Sequence, residues 1–166
     1  MKLYVFDFDN TLFASPSPPK DWKGPWWGIS VSLEPPVVPQ KPDMSWWSSE
    51  IIEKVKECSQ LPNSYTILLT GRKEKEFKNR VLDLLDQVGI KNYFDFIGLN
   101  DGGDTLDAKI RYLNKYLQND PRINEVEFWD DRKIHEQPFK DWAKQHKLAC
   151  IHHLLKPLDK EPEALP

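Results

Sequence analysis

Two aspartates one residue apart, Asp7 and Asp9, open the run DFDNTLF near the N-terminus. In an extended chain they project the same way, because side chains alternate with period two. Crowded carboxylates repel unless a proton or a cation relieves them. An oxygen-seeking divalent ion, Mg²⁺ above all, is the natural partner. A turn after a strand uses the same residue types for a blander reason. A second acidic pair, Asp130 and Asp131, closes the apolar run EVEFW. Two acids there are costly unless paired or metal-bound, and Arg132 offers a structural ion pair as the competing explanation. LLTGR, residues 68–72, places the Thr70 hydroxyl, the Gly71 backbone and the Arg72 guanidinium just ahead of a predicted helix. Such a position suits a phosphate oxygen, although an ordinary strand-to-helix loop reads the same way. Lys109, in TLDAKI, could offset the charge of a phosphorylated carboxylate. It could equally sit on a solvated helix face, where most lysines lie.

These residues need a scaffold that brings them together. Residues 2–7 read as a strand from their β-branched and aromatic content. YTILLT (65–70), FDFIG (94–98), EVEFW (125–129) and LACIHH (148–153) read as four more. Between them lie helical periods. Ile51, Ile52, Val55 and Cys58 share a face over 49–60, with Ser48 or Ser49 as cap. Phe77, Val81, Leu84, Leu85 and Val88 share one over 73–88, stopped by Gly89. Leu106, Ile110, Leu113 and Leu117 do so over 105–118, and Phe139 and Trp142 over 135–146. Strands alternating with helices predict an α/β fold: three layers around a doubly wound parallel sheet, strand order 3-2-1-4-5. Ligands of such sheets sit at the carboxyl ends of the strands, at the switch point. Asp7, Asp9, Thr70, Gly71, Arg72, Asp130 and Asp131 all fall at strand ends, so the fourth strand should carry its acids to the first.

Residues 14–47 differ in kind, holding eight of the fourteen prolines and five of the seven tryptophans. That much proline excludes a long helix or central strand, and that much tryptophan excludes plain disorder. An irregular insertion pinned by Trp22, Trp26, Trp27, Trp46 and Trp47 is expected, with burial favoured over base stacking for most of them. Lys73, Lys75, Lys78 and Arg80 after the second motif, and Lys20 and Lys23 in the insertion, offer local positive charge. The net charge of -3 argues against non-specific nucleic-acid binding. Cys58 and Cys150 have no metal or redox spacing, and no apolar run is long enough for a membrane. The chain reads as intracellular: one domain over 1–156, then a polar, Pro-containing tail over 157–166 expected to be loose.

Taken in order, these pieces resemble the haloacid dehalogenase (HAD) superfamily. DFDNT matches its first motif, Thr70 the second, Lys109 the basic third and Asp130-Asp131 the acidic fourth. The Pro-rich stretch, the paired tryptophans, LLTGR, TLDAK and WDDRKIH resemble more narrowly the Swiss-army-knife RNA-repair-like HAD subgroup. The resemblance implies a Rossmannoid phosphatase without a large cap domain. Asp7 would be the nucleophile that forms an aspartyl-phosphate, and Asp9 the acid and base. Thr70 and Lys109 would hold the phosphoryl charge, with Gly71 and Arg72 contacting substrate. Mg²⁺ would be bound by Asp7, the backbone carbonyl of Asp9, and Asp130 or Asp131. Only the insertion and one helix separate the first two motifs, and no extra domain separates the second and third, so an open site is expected, suited to a phosphorylated RNA or DNA end or a phosphoprotein. His135 is either a packed histidine or a substrate contact. A competing class is a metal-binding interaction module without turnover that works through the insertion. The intact Asp7, Asp9 and Thr70 speak against it.

Overall fold

The computed structural model describes all 166 residues. Five strands form one sheet: β1 (Lys2–Phe6), β2 (Ser64–Lys73), β3 (Phe96–Asn100), β4 (Glu125–Asp130) and β5 (Ala149–Leu154). All pair in parallel in the order β3-β2-β1-β4-β5. Four helices connect them: α1 (Ser49–Ser59), α2 (Glu74–Gln87), α3 (Thr105–Asn119) and α4 (Lys133–Gln145). No helix is long and apolar enough to cross a membrane.

Strand alternation divides the core in two. Leu3 and Val5 of β1, with Ile67, Leu69, Val126 and Phe128, point to the side carrying α3 and α4. Tyr4 and Phe6, with Leu68 and Trp129, point to the side carrying α1, α2 and the insertion. The same period of two sets the side on which each strand delivers its terminal acid. Asp7 continues the Leu3–Val5 face, and Asp130 continues the Val126–Phe128 face. Both therefore emerge on the α3/α4 side, with Asp7 N–H bonded to the Trp129 carbonyl at 3.0 Å.

Two strands depart from the pattern read in the sequence. β2 runs on through Thr70, Gly71 and Arg72 to pair Lys73 with Asn100 across an irregularity after Leu69. β3 begins two residues later than its aromatics suggest. Lys91–Tyr93 take a 3₁₀ turn instead, and Phe94 is buried in the core. The Asp95 carboxylate accepts the Thr66 N–H at 2.8 Å, closing that turn onto β2.

The insertion is ordered, as its tryptophans predict. Trp26, Trp46 and Trp47 are buried, and Trp22 is half-buried against the same core. The Trp26 indole N–H donates to the Pro16 carbonyl at 2.9 Å. Trp46 stacks on Phe13 and Trp47 meets it edge-on. Proline-rich backbone has more acceptors than donors, and Arg80 meets that surplus. Its guanidinium reaches the carbonyls of Leu33, Pro39 and Gln40 at 2.8–3.1 Å. Arg80 is thus a buried anchor for the insertion and not, as expected from the sequence, part of a charged surface. The segment after Pro157, expected to be loose, lies back along the insertion on other carbonyls. Glu163 N–H donates to the Val37 carbonyl and Ala164 N–H to that of Pro36, while Leu158 N–H donates to Asn10. Lys160 lies over the Trp46 ring.

Candidate active site

Asp7 sits at the end of the central strand with its side chain almost wholly buried. Lys109 Nζ donates to its Oδ1 at 3.0 Å, and Thr11 Oγ1 to its Oδ2 at 3.3 Å. Lys109 is itself buried, 3.6 Å from Asp130. A buried lysine needs such partners, since burial alone disfavours its charge. Asp130 is ringed by donors: Lys109, the Arg132 backbone N–H at 2.8 Å and His135 Nδ1 at 3.3 Å. The Arg132 side chain is exposed and makes no ion pair with either acid, so the structural-pair reading of WDDR fails. Asp131 completes the cluster. One ligand oxygen from each of Asp7, Asp130 and Asp131 lies within 4.8 Å of the others.

Asp9 takes a different position from the one its spacing suggests. Its carboxylate does not crowd Asp7; it is gripped by Arg72, whose Nε and Nη2 reach both oxygens at 2.8–3.1 Å. Ser15 donates to it as well. The strand conformation ends before Asp9, and Asn10 turns into the left-handed region at φ 59. Arg72, read in the sequence as a substrate contact, is buried and already occupied. Its Nη1 donates to Ser32 Oγ at 2.7 Å and to the Trp27 carbonyl at 3.1 Å, while Phe77 and Trp27 flank the guanidinium. Thr70 is buried and accepts the Arg72 N–H.

Gly71 has a geometric reason. A Cβ there would lie 2.5 Å from Thr105 Oγ1 and 2.6 Å from Thr105 Cγ2. Only glycine lets the end of β2 touch the start of α3 this closely. Thr105 and Lys109 are four residues apart and share a helix face, so this contact also aims Lys109 at Asp7. Thr105 lines the site and was missed in the sequence, although the same i, i+4 spacing from Lys109 marks it.

The electrostatics stem from burial. Burial, reinforced by Asp130, Asp131 and Asp9, raises the Asp7 carboxyl well above its ordinary value despite Lys109. Burial also raises Asp131. Asp130 goes the other way, held down to about 2, because Lys109, His135 and the Arg132 N–H outweigh its burial. Lys109 is raised, its desolvation more than offset by Asp7 and Asp130. The odd group is Asp131, whose buried Oδ1 has no hydrogen-bond partner. A buried carboxylate oxygen with no donor, facing two more carboxylates, is the acceptor geometry that a hard divalent cation completes. These residues fit Mg²⁺. The cavity above them has a volume of about 410 Å³ and is otherwise polar, with Trp27 its one apolar wall.

The family described as HAD domain family 1 in Swiss Army Knife RNA repair proteins matches residues 15–163. The chain belongs to this family. The matched span contains the LLTGR, Lys109 and WDDR elements but starts after Asp7 and Asp9, whose case rests on their geometry in the site. The uncharacterized protein YMR265C of Saccharomyces cerevisiae is 26% identical over 164 residues, covering 81% of this chain and 35% of that protein. A chain in the structure of the Pnkp1/Rnl/Hen1 RNA repair complex superimposes with a TM-score of 0.56 at 17% identity, covering 92% of this chain and 42% of that one. A second structure of the Pnkp1/Rnl/Hen1 complex gives 0.57 at 16% identity, with 92% and 46% coverage. At such identities the likeness to these structures is one of HAD-like fold, and the chain spans less than half the length of each relative.

Proposed function

We propose that the protein is a Mg²⁺-dependent phosphohydrolase working through an aspartyl-phosphate on Asp7. The observation that carries this reading is the Asp7 carboxylate at the mouth of the central strand, held by Lys109 and Thr11 and facing the donor-poor Asp131. Asp7, Asp130 and Asp131, with the carbonyl of Asp9, would hold the ion, which neutralises phosphate charge when bound. No backbone N–H donates to that carbonyl, which leaves it free for the role.

The chain's own groups divide the work. An Asp7 oxygen attacks phosphorus as the bond from phosphorus to the leaving oxygen breaks. Asp9 gives a proton to that oxygen, then takes one from the water that attacks phosphorus and releases Asp7. To do so Asp9 must exchange the grip of Arg72 and Ser15 for the leaving group. Thr70 and Lys109 receive the phosphoryl oxygens, and Gly71 contributes backbone. The substrate is a phosphorylated nucleic-acid end or a phosphoprotein. An open pocket without a large cap supports this reading, as does membership of a family described by RNA repair.

The test is Mg²⁺-dependent phosphate release from a panel of 3′- and 5′-phosphorylated RNA and DNA, phosphopeptides and nucleotides. Asp7→Asn should lower turnover by at least about 1,000-fold, the scale of losing a nucleophile, with the circular dichroism spectrum preserved. Undiminished turnover in that variant refutes the mechanism.

A further inference from the structure

Trp27 breaks the pattern of the other insertion tryptophans. Trp26, Trp46 and Trp47 are buried and Trp22 is half-buried, but Trp27 is 42% exposed and lines the cavity that holds Asp7. Its exposure is not looseness. The Trp27 carbonyl accepts from Arg72, and its ring lies 5.3 Å from the guanidinium carbon. The same Arg72 grips Asp9, so the indole and the acid that meets the leaving group are fixed to one side chain. Two cations stand nearby without acidic partners. Arg132 lines the cavity, and Lys73 Nζ lies 3.9 Å from where a Cβ on Gly28, next to Trp27, would be. Both are exposed.

An open aromatic face in an otherwise polar phosphoester site selects a leaving group that is itself flat. Aromatic stacking holds single-stranded nucleic acid with little regard to sequence, because every base has a π-face. A phosphoserine peptide would leave the indole wet, and a phosphotyrosine would cover it but bring no adjoining phosphodiesters to the two cations. We propose that Trp27 stacks on the base of the terminal nucleotide whose phosphate sits at Asp7, with Lys73 and Arg132 taking the adjoining phosphodiesters. This rests on the phosphohydrolase reading and makes Trp27 its specificity-determining residue.

The test compares kcat/KM, with Mg²⁺, for an oligonucleotide bearing a terminal phosphate and for acetyl phosphate, which has no ring to stack. Trp27→Ala should lower the oligonucleotide-to-acetyl-phosphate ratio by about 5- to 100-fold, mostly through KM. Trp27→Phe should restore most of it. An abasic terminal nucleotide should show the same loss with the natural protein and no further loss with Trp27→Ala. Lys73→Ala should flatten the salt dependence of oligonucleotide KM by about one unit of slope. An unchanged ratio in Trp27→Ala, equal use of abasic and natural ends, or a preference for phosphopeptides overturns the proposal. If acetyl phosphate and every phosphoester of the panel go unhydrolysed, the phosphohydrolase reading fails instead. Fluorescence anisotropy of the phosphorylated oligonucleotide then decides the stacking, with weaker binding by Trp27→Ala expected and equal binding refuting it.

Discussion

Replacing Asp131 by Asn should make the protein more stable without metal and insensitive to Mg²⁺. Lys109 lies 3.0 Å from Asp7 and 3.6 Å from Asp130, gross attractions of about 5 kcal/mol each at an effective dielectric of about 20. Asp131 has no hydrogen-bonded cation of its own and faces two carboxylates with ligand oxygens within 4.8 Å, a gross repulsion of about 3.5 kcal/mol per ionised pair. Proton uptake caps that penalty: burial, with Asp130 adding to it, raises the Asp131 carboxyl and so favours the uptake. What remains is an unsatisfied buried oxygen, worth about 1–2 kcal/mol. For a chain of this size each kcal/mol moves Tm by about 2–4 °C, so metal-free Asp131→Asn should melt about 2–8 °C higher. The natural protein at about 100 times Kd of Mg²⁺ should gain about 2.7 kcal/mol, or roughly 5–11 °C, and the variant little of it. Asp130→Asn should do the reverse without metal. It removes an acceptor from Lys109 and His135 and should cost about 1.5–3 kcal/mol. Differential scanning calorimetry in EDTA and in Mg²⁺ reads all of these. A metal-free Asp131→Asn that melts lower, or one that keeps the full Mg²⁺ shift, refutes the assignment of Asp131 as the unpartnered ligand.

Gly71→Ala should destabilise by about 1–3 kcal/mol through overpacking against Thr105, and Thr105→Ala should recover part of that loss in the double variant; equal Tm for the single variant and the natural protein refutes the close approach. Asp120 is held well below the usual carboxylate range by Arg122 and by the Tyr65 hydroxyl at 2.6 Å. Its contribution is therefore present above the ordinary aspartate range and lost as pH falls through the depressed value. Asp120→Asn should flatten the loss of stability below about pH 4, and an unaltered acid limb in urea melts refutes it.

The strand ends were legible because alternation is a local rule. Leu3, Val5 and Asp7 share a face whatever the rest of the chain does, and the apolar EVEFW run makes the two acids after it conspicuous. The family resemblance, and not periodicity, singled out Lys109. A lysine on an amphipathic helix looks solvated until its acidic partner, 102 residues away, is known. The partners of Arg72 and Arg80 were hidden for the same reason. One serves Asp9, 63 residues earlier, and the other serves carbonyls more than 39 residues earlier. Spacing that predicts a shared direction for Asp7 and Asp9 assumes continued strand, and the left-handed Asn10 shows how soon the chain turns. The start of β3 was misplaced because aromatic content signals burial as readily as pairing, and Phe94 is buried outside the strand.

The position of β1 in the middle of the sheet sets the order in which a ribosome can deliver the site. Asp7 is made before both its neighbours, since β1 pairs on one side with residues from Ser64 onward and on the other with residues from Glu125 onward. Until β4 emerges, this apolar central strand has an open edge and Asp7 lacks Asp130 and Asp131. A nascent chain halted late in α3 would carry Asp7 and Lys109 but not the second acidic pair. The acidic cluster is thus incomplete until β4 has been synthesised, and translation products that stop before Asp131 would hold an exposed strand edge of the kind chaperones bind.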